Sequence, residues 1–228
     1  MNDTVSNNLQ KVRKRIELAS TAAGRASDAV KLLAVSKTMS AQAVREAHAA
    51  GQLAFGENYI QEGVDKIASL ADLPLEWHCI GPIQSNKSKL VAENFAWVHS
   101  IDRLKIAERL SAQRPAHLPP LQICLQVNVD GGNNKSGVTP SELLELAQAV
   151  AKLPHLQLRG LMTIPEPAAN ELAARTAHRQ AKELFDSLNA AGLKLDTLSM
   201  GMTADLEAAI AEGSTCVRVG TAIFGVRS

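Results

Sequence analysis

The sequence has few aromatic residues: among 228 residues there are four Phe, two Trp and one Tyr. All-β proteins rely on aromatic and β-branched residues, so this scarcity and the abundant alanine favour a helix-rich α/β protein. Cysteine is also rare. Cys79, Cys124 and Cys216 lie in apolar, strand-like segments, without a CxxC pair or a histidine at metal-ligand spacing. We expect three buried thiols that behave as small apolar residues.

The chain lacks a strong charge of either sign and lacks long apolar runs. Lys and Arg number 24 and Asp and Glu number 23, which leaves a net charge of +1. A basic surface for nucleic acid is therefore not expected. No segment approaches the roughly 20 apolar residues of a membrane span, and residues 1–20 lack the apolar centre of a signal peptide. The sequence predicts a cytoplasmic protein with no nucleic-acid or membrane partner.

Short apolar, β-branched segments alternate with helical patterns along the chain. The predicted strands cover 32–37, 54–58, 76–81, 97–102, 121–128, 156–164, 197–201 and 216–220. The predicted helices lie near 40–51, 59–70, 84–94, 103–113, 140–152, 170–191 and 203–212. Eight strands with a helix between each pair predict a single (β/α)₈ TIM barrel; a doubly wound open sheet is the alternative.

An extra helix precedes the first strand, because apolar residues recur there at steps of three and four. They are Val5, Leu9, Val12, Ile16 and Ala19. No linker or change of composition marks a domain boundary. We therefore expect one domain over 1–228, with the N-terminal helix in 1–25 and the barrel in 32–228.

Lys37 stands at the end of the first predicted strand. Strand alternation places it on the same face as Leu33 and Val35. If that face points into the barrel, burial lowers the pKa of the amine and makes it nucleophilic, as a Schiff-base lysine requires. The alternative for this segment alone is a surface lysine at a strand terminus.

The segments after strands seven and eight have the composition of an anion site. Ser199-Met200-Gly201-Met202-Thr203 leads into a helix expected near Ala204, and Gly220-Thr221 follows strand eight. Glycine lets the backbone approach an anion closely, and Thr203 could cap the helix or bind phosphate. Asp205 is a possible competitor for that phosphate. The alternative is ordinary turn and capping chemistry, but the two segments together favour phosphate, since barrels often bind it there.

Arg218 lies two residues before Gly220 and therefore on the same face of its strand. A guanidinium that faces the interior needs an acceptor, because an unpaired buried charge is costly. The candidate acceptors are Glu57, Asp102 and a ring nitrogen of a ligand.

Four of the six histidines lie on predicted helices or loops, and we expect them to be solvated: His48, His117, His155 and His178.

A strand-end lysine, a phosphate cradle and an interior arginine suggest pyridoxal 5′-phosphate (PLP). The chain resembles the pyridoxal phosphate homeostasis proteins, which are similar to the N-terminal barrel of alanine racemase. The resemblance covers residue 32 to the C-terminus and rests on these motifs: Ala34-Val35-Ser36-Lys37-Thr38, Phe55-Gly56-Glu57-Asn58-Tyr59, Trp77-His78-Cys79-Ile80-Gly81, Gln84-Ser85-Asn86-Lys87, Gly160-Leu161-Met162-Thr163-Ile164-Pro165, Leu198-Ser199-Met200-Gly201-Met202 and Val217-Arg218-Val219-Gly220-Thr221-Ala222-Ile223-Phe224-Gly225.

The resemblance implies the cofactor, its binding residues and a role. PLP would be held on Lys37 as an internal aldimine, and Arg218 would face the pyridine nitrogen. The phosphate would be bound by Ser199, Gly201, Gly220 and Thr221, while Asn58 and His78 would line the pocket and Met162 and Met200 would pack near the ring. The role would be PLP homeostasis: cofactor storage, delivery to PLP-dependent apoenzymes, and amino and keto acid balance. The loop 130–137 departs from the family, because the glutamate usual before the equivalent of Lys135 is absent.

Residue chemistry favours binding over turnover. Arginine can only donate, so it would leave the ring nitrogen unprotonated and weaken the cofactor as an electron sink. Alanine racemase takes its second base, a tyrosine, from another subunit's C-terminal domain. Here the sequence ends at Ser228, and the only tyrosine, Tyr59, is expected to be structural. We expect a monomeric binding protein with little turnover; the alternatives are a PLP-dependent amino-acid racemase and a Schiff-base aldolase or phosphosugar enzyme.

Overall fold

Eight parallel strands form a closed barrel in the computed structural model, which describes residues 4–131 and 136–225. The strands are β1 (Lys31–Val35), β2 (Ala54–Glu57), β3 (Glu76–Cys79), β4 (Trp97–Ile101), β5 (Leu121–Gln126), β6 (Leu156–Met162), β7 (Thr197–Ser199) and β8 (Cys216–Val219). Each strand pairs with the next in sequence, and β1 pairs with β8 with Ala34 opposite Val219. The predicted (β/α)₈ barrel is confirmed, and the open sheet is excluded.

The helices surround this barrel. They are α1 (Val5–Ala22), α2 (Ala41–Ala49), α3 (Ile60–Ser69), α4 (Ser88–Asn94), α5 (Leu104–Gln113), α6 (Leu143–Val150), α7 (Glu171–Ala190), α8 (Leu206–Ala211) and α9 (Thr221–Phe224), with a 3₁₀ turn at Ser85–Lys87. The extra helix α1 begins after Thr4, whose hydroxyl accepts the Asn7 N–H at 3.3 Å as an N-cap. Its apolar stripe packs against α2, α8 and α9. None of the described helices is long and apolar enough to cross a membrane.

Apolar side chains fill two separate layers, because successive strand residues point to opposite faces. The larger layer lies between strands and helices. Inside the barrel are two small clusters, Leu33, Ala54, Ile80 and Cys216 on one side and Trp97, Cys124 and Met162 on the other. All three cysteines are buried and free, as expected, and burial raises the pKa of the Cys79 thiol to about 12.

Trp97 closes the amino-terminal end of the barrel. Its ring lies between two cations, with the Lys31 amine 5.6 Å and the Arg159 guanidinium carbon 5.0 Å from the ring centroid. Arg159 is held by Asp196, with a shortest N–O distance of 2.6 Å. The Lys31 amine is ion-paired to Glu76. This end is therefore plugged by a tryptophan and two ion pairs, and a ligand has to enter from the carboxyl ends of the strands.

Candidate functional site

Lys37 follows β1 in a tight turn at the carboxyl end of the barrel, and its side chain is partly buried. Thr38 has φ 64°, the left-handed region that costs a β-branched residue about 1–2 kcal/mol. Its N–H donates to the Glu62 carboxylate at 2.5 Å, and the Met39 N–H donates to the Ser36 carbonyl at 3.0 Å. These bonds hold the turn in a strained conformation and fix where the Lys37 side chain begins.

A buried ion cluster supports this turn from the outer layer. The Lys66 amine donates to the Ser36 carbonyl at 2.6 Å and to the carboxylates of Glu57 and Glu62, each at 2.7 Å. The Ser36 hydroxyl also donates to Glu57, at 2.6 Å. Burial raises the pKa of Glu57 against the opposing hydrogen bonds from Lys66 and Ser36. Lys66 was not predicted from the sequence, although its place one helical turn after Glu62 indicates an ion pair between them.

The loops after β7 and β8 converge beside this turn. The hydroxyls of Thr203 and Thr221 are 3.5 Å apart, although eighteen positions separate them. Within the described chain, the backbone N–H groups of residues 203, 204 and 220–222 donate no hydrogen bond to protein. Since β8 pairs with β1, the second loop lies next to the strand that carries Lys37. Unpaired N–H groups from two loops form a cradle suited to an anion.

Two glycines shape this cradle. Gly201 has φ +94°, and a Cβ there would lie 2.5 Å from the Ala209 Cβ. A Cβ on Gly220 would lie 3.2 Å from the Val35 carbonyl oxygen. Gly201 therefore needs glycine for its backbone conformation and close approach, whereas a Cβ at Gly220 would make a tight contact with the Val35 backbone.

Thr203 does not cap the following helix. Asp205 is the N-cap of α8, which begins two residues later than the sequence suggested. The Asp205 carboxylate accepts the Met202 N–H at 2.7 Å and bonds to His178 Nε2 at 2.9 Å. Asp205 is thus engaged by protein groups. The expectation that His178 is solvated was wrong, because this side chain is fully buried.

Arg218 lies inside the barrel with 4% of its surface exposed. One terminal nitrogen donates to the Ser199 carbonyl and to the Ser199 hydroxyl, both at 2.8 Å, and the other donates to the Thr163 carbonyl at 2.7 Å. Its protein acceptors are therefore neither Glu57 nor Asp102, the two carboxylates considered from sequence. Arginine has five N–H donors, so these bonds leave two without a protein acceptor in the described chain. Burial lowers the pKa of Arg218.

Ser199 and His78 are committed to partners inside the barrel. The Ser199 hydroxyl contacts Arg218 and also His99 Nδ1, at 2.9 Å. His78 is fully buried, with Nε2 2.8 Å from the Glu76 carboxylate and Nδ1 2.9 Å from His99 Nε2. Neither side chain is free to bind phosphate or another ligand group. His99 and Glu76 were not among the predicted site residues. Glu76 lies two positions before His78 in β3 and therefore on the same face, which was a visible signal.

The remaining predicted residues divide between the barrel interior and the outer layer. Asn58, directly after β2, has a buried Oδ1 without a hydrogen-bond partner in the described chain. Met162 packs inside the barrel with Trp97, whereas Met200 packs in the outer layer between strands and helices. The structure therefore does not bring Met200 together with Met162. Residues 132–135 of the loop 130–137, including Lys135, lie outside the described residues.

The chain is similar to known proteins over almost its whole length. The family described as "Alanine racemase, N-terminal domain" matches residues 7–228. The pyridoxal phosphate homeostasis protein of Pseudomonas aeruginosa is 62% identical over 224 residues, covering 98% of this chain and 96% of the relative. Its Escherichia coli counterpart is 55% identical over 230 residues, with coverage of 100% and 98%.

A solved structure agrees with these relatives. PipY of Synechococcus elongatus with PLP bound is 37% identical and has a TM-score of 0.86, covering 97% of this chain and 100% of PipY. High identity over nearly the whole length of each protein, together with the same barrel, is decisive. This chain belongs to the pyridoxal phosphate homeostasis proteins, within the alanine racemase N-terminal domain family.

Proposed function

We propose that this protein binds PLP at the carboxyl ends of its strands and acts in intracellular PLP homeostasis, through cofactor storage, delivery and amino and keto acid balance. The observation that carries the proposal is the convergence of Lys37 and two loops of unpaired N–H groups at one end of a barrel that is closed at the other. PLP offers an aldehyde for a lysine amine and a phosphate for an anion cradle, and this end of the barrel supplies both partners.

The residues at the mouth fit the cofactor. The N–H groups of residues 203, 204 and 220–222 would hold the phosphate, together with the hydroxyls of Thr203 and Thr221. Lys37 would be the covalent anchor, fixed at its backbone by the strained turn. Two further buried oxygens, Asn58 Oδ1 and Thr163 Oγ1, have no protein partner in the described chain and are available to a ligand.

Arg218 argues for binding with little turnover. When bound, PLP stabilises a carbanion best with its ring nitrogen protonated, and an arginine N–H can only donate to that nitrogen. The alternative, a PLP-dependent amino-acid racemase, needs a second acid–base group on the other face of its substrate. Tyr59, the only tyrosine, is 54% exposed and makes no hydrogen bond through its hydroxyl in the described chain. In the part of the chain that the structure describes, no feature of the site favours the racemase.

The test is an absorption spectrum of the purified protein before and after borohydride, followed by peptide mapping. A yellow protein that bleaches and carries a phosphopyridoxyl group on Lys37 supports the proposal. Lys37→Arg keeps the positive charge but cannot form the linkage, so it should stay unmodified; Lys89→Arg, at an exposed lysine, is the matched control. A colourless wild type that stays unmodified with excess PLP would refute the proposal and favour the aldolase-type alternative.

Turnover is tested separately. Sustained loss of the α-deuterium from an L- or D-amino acid, well above the rate with free PLP, would support the racemase.

We further propose that residues 1–228 act as one cytoplasmic, monomeric domain, and that PLP-dependent apoenzymes are its partners in delivery.

A further inference from the structure

A line of hydrogen-bonded side chains crosses the barrel from Arg218 at the site to Glu76 at the opposite end. It runs from Arg218 to the Ser199 hydroxyl (2.8 Å), to His99 Nδ1 (2.9 Å), from His99 Nε2 to His78 Nδ1 (2.9 Å), and from His78 Nε2 to Glu76 (2.8 Å). The three middle residues are buried, whereas 39% of the Glu76 side chain is exposed.

The Glu76 end determines the direction of every bond when both imidazoles are neutral. The Glu76 carboxylate only accepts, so His78 carries its proton on Nε2 and donates to it. His78 Nδ1 then accepts from His99 Nε2–H, and His99 Nδ1 accepts from the Ser199 O–H. Arg218 can only donate, so the Ser199 oxygen accepts from it. With two neutral rings, this is the one direction that satisfies all four bonds.

The surroundings favour these neutral forms. Burial lowers the pKa of His78 to about 4 and that of His99 well below its usual value. The His78 hydrogen bond lowers the pKa of Glu76 to about 2. The charged groups that face the line are Lys31, ion-paired to Glu76, and Arg218 itself. His78 also stacks on Trp97, with 5.3 Å between ring centroids and 8° between ring planes.

We propose that Glu76, His78 and His99 are positioning residues for Arg218. A serine hydroxyl rotates freely when nothing holds its proton, and a proton turned toward Arg218 would repel the guanidinium. His99 Nδ1 holds that proton away, so that a lone pair of Ser199 faces Arg218. His99 can do this only as the Nε2–H tautomer, which His78 and Glu76 impose from the far end. The use of this arrangement for PLP rests on the proposed function.

The first experiment needs no cofactor. Nitrogen-15 NMR of the cofactor-free protein at neutral pH should show His78 and His99 as neutral Nε2–H tautomers and restricted rotation of the Arg218 terminal nitrogens. Finding either ring as the Nδ1–H tautomer, or charged, would overturn the proposal.

Glu76→Gln tests the control from the far end. An amide can donate as well as accept, so the reversed direction becomes possible. We expect a fraction of Nδ1–H tautomer at His99 and faster rotation of the Arg218 terminal nitrogens. Asp196→Asn is the matched control, because it neutralises a carboxylate at the same end of the barrel outside the line. Unchanged Arg218 rotation in Glu76→Gln would overturn the proposal.

Cofactor affinity then distinguishes this proposal from the proposed function. Weakened hydrogen bonds to a charged group should lower the affinity of Glu76→Gln for PLP about tenfold and shift the absorption band of bound PLP, while Asp196→Asn stays within about twofold of wild type. Equal affinity and spectrum in both variants would overturn the positioning role but leave PLP binding intact. A wild type that binds no PLP would refute the proposed function, and the NMR results would still decide this one.

Discussion

Lowering the pH from about 7.5 to about 5 should destabilise this protein through its two interior histidines. An unfolded histidine protonates with a pKa of about 6.5. Burial lowers the folded pKa of His78 to about 4 and lowers that of His99 well below its usual value. Between these values the unfolded chain binds more protons than the folded one, so the free energy of unfolding falls as the pH falls.

The size of the effect follows from the pKa difference. At about pH 5, proton binding stabilises an unfolded histidine by about 2 kcal/mol. The folded His78 is hardly protonated at this pH, so the folded state gains almost no stabilisation from it. For His78 this gives a loss of about 2 kcal/mol, and His99 adds to it in the same direction, against a typical stability of about 5–15 kcal/mol. Glu57 acts in the opposite direction, because its raised pKa lets the folded state bind a proton first.

Urea unfolding at several pH values between these limits measures the effect. The double variant His78→Gln/His99→Gln should lose most of the pH dependence even if it is less stable throughout. His117→Gln, at an exposed histidine, is the matched control. If the free energies of unfolding of wild type and double variant changed equally, within about 1 kcal/mol, between about pH 7.5 and 5, the reasoning that both rings are buried and neutral would be refuted.

Three further predictions concern the turn, the cradle and the assembly. Lys66→Met should lower the free energy of unfolding in urea by about 3–5 kcal/mol, since it leaves Glu57 buried without its cation. The double variant Lys66→Met/Glu57→Gln should recover part of this loss, and equal losses in the two variants would contradict the ion-pair argument. Gly201→Ala should destabilise the protein by about 1–3 kcal/mol, because this position has a φ of +94° and the new Cβ would contact Ala209. It should also weaken the binding of inorganic phosphate. An unchanged phosphate affinity would exclude this loop from the cradle. Light scattering should give the mass of one chain, 24.3 kDa, and a dimer mass would refute the monomer.

The sequence by itself determined the fold. The alternation of β-branched runs with helical periods depends on local chemistry, so it indicated eight strands and their order. The position of Lys37, Gly201 and Gly220 at one end of the barrel followed from the same pattern, since residues at the strand ends of a parallel barrel meet there. Boundaries were less certain: α8 starts at Leu206, and Asp205 occupies the N-cap position in place of the expected Thr203, without a side-chain capping bond.

Only the tertiary structure decided which polar groups share the barrel interior. Hydrogen bonds link Arg218 to Ser199, and Ser199 to His99, a hundred positions away. From the sequence, the candidate protein acceptors of Arg218 were carboxylates, whereas in the closed barrel Arg218 donates to carbonyls and a hydroxyl. Similarly, Ser199 was expected at the phosphate but is engaged inside. The physical reason is that strand alternation says which residues point inward, while register and barrel closure decide which of them lie within hydrogen-bonding distance.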